Sequence, residues 1–358
     1  LEDIMGFRIP PDTLEALVTR TDGWITALQM AAISLRHESD PAAFLAHLQG
    51  NADYLVDYFG EEVLDRQPEE ARQFLLRSSI LDLLTGPLCE AVVRPDAKPG
   101  YGTVMLSRLE RSNLFIVALD DKHEWFRYHH LFAELLRQRL MQREDVTPYH
   151  MRASQWYEDH GLDLEAFQHA AVAHDLERAE RLMEGKAIPL HLRGALHIVL
   201  AWLESLPKAV LDARPLFWVR SATIALMASQ TAGVEEKLQA AEAAIASALQ
   251  GAEPDSRTRD LVGQIAAARA TLAVTRYEPG TTIAQARRAL EHLGAENLRF
   301  RFTANWALAI AYQFQGDRSA AKRALAEALA ISQASPSMFS RILAVSQLGH
   351  MQELDNQL

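Results

Sequence analysis
Hydrophobic and polar positions change period twice between Asn113 and Leu140. Leu114, Phe115, Ile116, Val117, Ala118 and Leu119 form a short apolar run rich in β-branched residues, which predicts a buried strand. Asp120-Asp121-Lys122-His123-Glu124 is a polar turn, and Trp125, Phe126, Arg127 and Tyr128 read as a second strand, so the pair predicts a β-hairpin. From His130 the period becomes helical, with Leu131, Phe132, Leu135, Leu136 and Leu140 on one face and charges between them. Two adjacent histidines, His129 and His130, sit where the hairpin meets the helix.

Elsewhere the pattern is helical almost throughout. Pro10-Pro11-Asp12 opens a first helix, proline being pre-set for a first turn, and Thr21-Asp22-Gly23 ends it. A second helix carries Trp24, Ile25, Leu28, Ala31, Ala32 and Leu35; a third runs from Pro41 to about Gln49; in a fourth, Asp53 to Asp65, Leu55, Phe59 and Val63 share a face. Pro68 starts a helix holding Phe74, Leu75 and Ile80. Thr85-Gly86-Pro87 starts another with Thr85 as N-cap, and a third covers Tyr101 to Ser112 with Val104, Met105, Leu106 and Leu109 apolar. Beyond residue 146, helix pairs recur: Tyr149 to Asp159, Leu164 to Ala173, Leu176 to Gly185, Ala195 to Ser205. Small residues at Ala166, Ala170, Ala173 and Ala179, and again at Ala311, Gly316, Ala320, Ala324 and Ala328, let paired helices approach closely, as in a tetratricopeptide (TPR) array with a period of about 34 residues.

Composition narrows the function classes. The 358 residues suffice for two or three domains, and 49% hydrophobic with 23% charged is globular. Cys89 is the single cysteine, which excludes an internal disulfide, fits a reducing, cytoplasmic setting and reads as a small buried thiol. The formal charge of −11 argues against nucleic-acid binding by the chain as a whole. No apolar run approaches the ~20 residues of a membrane span. The chain opens on Leu1-Glu2-Asp3 and ends on Asn356-Gln357-Leu358, and reads as a piece of something longer. No nucleophile–base spacing, paired acidic motif or metal-ligand spacing stands out, so neither a catalytic nor a metal site is expected.

Three stretches resemble one family. "LERSNLFIVALDDKHEWFRYHHLFAELLRQRL" is similar to the winged-helix segment of the large MalT-like regulators of the LuxR family, members of the STAND class of signal-transduction ATPases. "TDGWITALQMAAISLR" is similar to the family's TxGWxxxLxLAALSLR segment, and "WLESLPKAVLDARPLF" to the start of its superhelical domain. The resemblance implies a mostly α protein: a helical subdomain at 1–60, a winged helix with one β-hairpin at 61–145, and a TPR-like α-solenoid, the sensor, from 146 to 358.

By the same resemblance, Gly23, Trp24 and Ile25 would lie against the adenine of bound ATP or ADP, with magnesium expected in the full-length protein. Ile25 stands where many STAND proteins have proline, and from the residues alone Gly23 is equally a helix-ending glycine and Trp24 a core residue. One of the two histidines would touch the nucleotide phosphate, His129 first and His130 beside it; an imidazole N–H can donate to a phosphate oxygen. Their residue-level alternative is a pair serving the helix start. The phosphate loop GxxxxGK[ST] and a C-terminal helix-turn-helix are not in the sequence, so this chain should not turn over ATP itself. In the full-length protein a preceding NTPase domain would supply the slow ATPase switch, a following domain would hold DNA, and self-association would follow effector binding. The winged helix itself reads as a scaffold: Arg108 and Arg111 flank Glu110, and the wing carries Asp120, Asp121 and Glu124. The effector, small molecule or protein, would dock on the array, where Trp202, Trp218, Trp306 and Tyr312 either line a groove or pack between helices. A TPR-type interaction scaffold with no nucleotide role is the other reading.

Overall fold
A computed structural model describes residues 64, 67–111, 116–185, 188–334 and 338–356. The helices expected before residue 64, with Gly23, Trp24 and Ile25, lie outside the described residues. The chain forms two compact units that divide between Leu176 and Glu177.

The first unit contains α1 (Glu69–Ser78), α2 (Gly86–Val93), α3 (Tyr101–Arg111), β1 (Ile116–Ala118), β2 (Phe126–Tyr128), α4 (His130–Arg143), α5 (Thr147–Asp159) and α6 (Asp163–Val172). Three helices and a hairpin are the winged-helix order. The Thr85 side chain caps α2 by accepting from the Leu88 N–H at 3.3 Å. The hairpin is antiparallel, with Val117 opposite Arg127, and Leu84 adds an isolated bridge on the outer edge of β2 by exchanging backbone hydrogen bonds with Phe126 at 2.8 and 2.9 Å. One expectation needs correction: Val117 and Leu119, in the run expected to be buried, are exposed, because a two-stranded wing has only one covered face. On α3 the apolar Val104 is exposed, and Gly102, Met105, Leu106 and Leu109 are buried, the stripe that 3.6 residues per turn selects. Phe74, Leu75, Leu88, Cys89, Phe132, Leu135 and Leu136 close the core, each large apolar side chain contributing roughly 1.5–3 kcal/mol of burial. Burial pushes the Cys89 thiol far above its ordinary range, so it is inert packing.

The second unit is helical hairpins: α7 (Leu176–Glu184), a 3-10 turn (Leu190–Arg193), α8 (Leu196–Ser205), α9 (Lys208–Ala213), α10 (Pro215–Met227), α11 (Val234–Leu249), α12 (Ser256–Thr275), α13 (Pro279–His292), α14 (Leu298–Phe314), α15 (Arg318–Ala334) and α16 (Met338–Asn356). Between hairpins, α10 packs on α12, α12 on α14 and α14 on α16. The first helices start at Pro215, Ser256, Leu298 and Met338, so each step takes about 40 residues rather than about 34. The excess lies in helix length, 20 residues in α12 and 17 in each of α14 and α15. Alanines fill the seam: Ala266, Ala267, Ala270, Ala286, Ala289, Ala304, Ala307 and Ala321 are almost fully buried in one cluster.

Candidate functional site
Three settings hold the chemistry-bearing side chains. The first is the junction of β2 and α4. Tyr128 ends β2 buried, its hydroxyl 2.7 Å from Ser78 Oγ, and its ring meets Phe132 edge-on with centroids 6.1 Å apart. His129 is the N-cap of α4 in extended conformation, and its side chain does not cap the helix. It is buried, whereas His130 is exposed; the two rings lie 4.5 Å apart. The first turn of α4 carries no acidic residue. An exposed imidazole beside a helix N-terminus can donate to an anion, and the helix dipole favours negative charge there.

The second is the reading face of the winged helix. Arg108 and Arg111 are exposed on α3, but Glu110 between them holds His123 of the wing at 2.6 Å. Asp120 accepts from the Glu124 N–H at 2.9 Å and turns the wing tip. The two arginines thus share their helix turn with a carboxylate that is tied to the wing.

The third lies inside the array. Arg220, nearly fully buried on α10, forms a two-pronged ion pair with Glu184 of α7 and donates to Gln264 Oε1 at 2.9 Å. Gln264 donates to Asp260 at 2.8 Å, as does Asn297 at the same distance, and the Asn297 side chain caps α14 through the Phe300 N–H. Arg220 and Arg299 both lie against the Phe300 ring, 5.4 and 4.7 Å from its centroid. Glu184 is held below the usual carboxylate range despite burial, because Arg220 pairs with it. His191 is buried with both ring nitrogens lacking a hydrogen-bond partner; burial and then Arg299 and Arg220 pull its pKa down to about 3, so it is neutral.

Of the four aromatics singled out by sequence, Trp202 packs edge-on to Phe217 at 5.4 Å and Trp218 donates to Asp212 at 3.1 Å. Tyr312 packs on the alanine seam, its hydroxyl bonded to Arg287 at 2.8 Å. Trp306 lines a cavity, together with Arg299 and Phe302. Sequence reasoning missed Arg220, Arg299 and His191; the one signal was Arg299 and Arg301 alternating with Phe300 and Phe302 inside a helix, where a cation next to phenylalanines must be at least partly covered. Among the described residues no group of three or more His, Cys, Asp or Glu could hold a metal, and no helix is long and apolar enough to cross a membrane.

Fold and site define a winged helix joined to an array of helical hairpins. The chain matches the MalT winged helix domain over residues 60–147 and the MalT-like TPR region over 263–358. Relatives include the HTH-type transcriptional regulator MalT of Serratia proteamaculans, 32% identical over 91% of this chain and 35% of its own, and MalT of Yersinia pestis, 34% identical over 64% and 25%. The serine/threonine-protein kinase PknK of Mycobacterium tuberculosis is 36% identical over 60% of this chain and 19% of its own. This chain is MalT-like: it carries the MalT winged helix domain and the MalT-like TPR region. It spans about a third or less of the length of these relatives.

Proposed function
We propose that this chain is the regulatory portion of an ATP-dependent, LuxR-family transcriptional activator, in which an effector on the helical array governs nucleotide-dependent switching. The observation that carries the reading is one continuous chain, 91% of it aligned with an HTH-type transcriptional regulator, that joins a winged helix to the array. The α4 N-terminus supports the nucleotide side of it: an exposed His130 with its ring 4.5 Å from that of a buried His129, and no acidic residue in the first turn. In this reading one of the two histidines donates to a phosphate oxygen of ADP, the exposed His130 taking precedence over His129, which the sequence put first, while Gly23, Trp24 and Ile25 cover the base. DNA is held by a separate domain, since the wing is acidic beside Arg108 and Arg111. Effector and nucleotide then bias the same two states, and by linkage each alters the affinity of the other equally.

A second observation limits the reading to the regulatory part. A relative named as a kinase matches 60% of the chain, so the segment is found in proteins of more than one name and not in transcriptional regulators alone. The test is nucleotide retention. Purified full-length protein with His130→Ala is expected to lose ADP on gel filtration at least about tenfold faster, the worth of a charge-assisted hydrogen bond. His129→Ala is expected to lose it to a lesser extent. Unchanged ADP content in both variants would leave the scaffold with no nucleotide role as the better account.

A further inference from the structure
The array encloses a cavity of about 280 Å³. Its walls come from the first helices of four successive hairpins: Leu226 on α10, Ala268 on α12, Phe302 and Trp306 on α14, and Leu343 on α16. Among the described residues lining it, Arg299 is the only charged one. Within the described residues, its guanidinium makes no hydrogen bond or ion pair, resting instead on the face of Phe300. The carboxylate that most opposes its charge is Glu184, which is already held in two places by Arg220. Two guanidiniums therefore rest on the Phe300 ring while Glu184 pairs with one of them, Arg220, and the neighbouring His191 is neutral. One positive charge is left over in a partly buried place, where uncompensated charge is costly. Desolvation and then repulsion by Arg220 pull Arg299 down to about 9, which still leaves it cationic at neutral pH.

The remaining polar lining is largely spent. Thr223, Thr271 and Thr303 donate their hydroxyl protons to carbonyls of their own helices, at 2.9, 3.1 and 3.1 Å. A neutral polyhydroxylated ligand would find few free donors. What the cavity offers is aromatic and aliphatic wall with one forked cation.

We propose that this cavity binds a small monocarboxylate with an apolar, aromatic or short aliphatic body, its carboxylate on the Arg299 guanidinium and its body against Trp306 and Phe302. The guanidinium fork matches two carboxylate oxygens side by side. The volume is at the small end of ligand sites, which begin near about 300 Å³. A ligand there touches four consecutive hairpins at once, so its binding would fix their mutual stacking, in an architecture where each repeat otherwise contacts only its neighbours. The regulatory meaning of such binding rests on the reading above; the binding itself does not.

The test uses 3-phenylpropionate as probe and 3-phenylpropanamide as its neutral counterpart, followed by calorimetry and tryptophan fluorescence on the purified chain. The acid is expected to bind at least about tenfold tighter than the amide, the usual worth of a hydrogen bond to a charged group. Arg299→Gln is expected to abolish that preference, and Arg299→Lys to restore part of it, with an unchanged melting profile attesting that both variants fold. Equal binding of acid and amide, retention of the preference in Arg299→Gln, or absence of binding by the acid at millimolar concentration would each overturn the proposal. ADP retention in the full-length protein is a separate readout, so a failure of the nucleotide reading leaves this result standing, and the reverse.

Discussion

Gly102 and Gly86 set how closely α2 and α3 approach. A Cβ at Gly102 would lie 2.0 Å from the Gly86 carbonyl oxygen, and one at Gly86 would lie 2.8 Å from the Thr103 backbone nitrogen. Because the obstacles are backbone, no rotamer change relieves them. Gly102→Ala is therefore expected to cost at least the ~1–3 kcal/mol typical of overpacking. Gly280→Ala on α13, with nothing within 4 Å of the new methyl, is expected to be neutral or to stabilise by up to about 1 kcal/mol through helix propensity. Urea midpoints of the two variants check both signs. At this scale the sequence was partly legible. Cys89 and Thr85 sit as their neighbours implied, in a closed core and at a helix start. Arg299 did not declare itself, because its role depends on Glu184 and Arg220, which are distant in sequence and close only once hairpins stack. The candidate nucleotide residues remain an expectation, since Gly23, Trp24 and Ile25 lie outside the described residues.

Among elements, the α5–α6 pair carries a pH-sensitive contact. His150 on α5 and His169 on α6 meet through Nδ1 at 2.8 Å, and the His169 ring stacks on Tyr157 at 5.4 Å. One nitrogen must donate and the other accept, so the contact needs at least one neutral ring. Burial pulls both histidines down to about 4, with Arg137 adding to the effect at His150; at His169 the partner ring and Arg137 add to it and Asp82 opposes it. The unfolded chain, with histidines near their ordinary value of about 6.5, binds more protons between about pH 4 and 6.5. Stability is thus complete above that window and falls as pH drops through it. The rings titrate as a coupled pair, and the stabilisation at stake is on the order of 2 kcal/mol. Melting temperature against pH should flatten between 4 and 6.5 in His150→Gln/His169→Gln, with His191 supplying the slope that remains. A slope unchanged from the parent chain would show that the pair does not titrate as a unit. The hairpin and α4 were readable because each switches period within a few residues. The exposure of Val117, Leu119 and Val104 was not, because alternation and helical spacing state which residues share a face and not which face is covered.

Across the second unit, one polar relay spans the hairpins: Glu184 on α7, Arg220 on α10, Gln264 and Asp260 on α12, and Asn297 at the head of α14. Small residues let the helices approach, but alanine seams slide easily, since one methyl packs much like the next. A relay with fixed donor and acceptor directions specifies the stacking register that alanines leave loose. A second tie joins successive hairpins where Arg269 of α12 clasps both Glu235 and Glu242 of α11. Arg220→Met is expected to cost about 3 kcal/mol, because Glu184 and Gln264 then remain covered without their partner. Adding Glu184→Gln should cost less than it does in the parent chain, because the two-pronged pair is already gone, and that non-additivity is what independent contacts could not give. Hydrogen exchange locates the loss: amides of α10, α12 and α14 should lose protection, while those of α1 to α4, in the other compact unit, should keep it. Loss of protection shared equally by both units would mean that Arg220 supports the whole chain and not the register of the array.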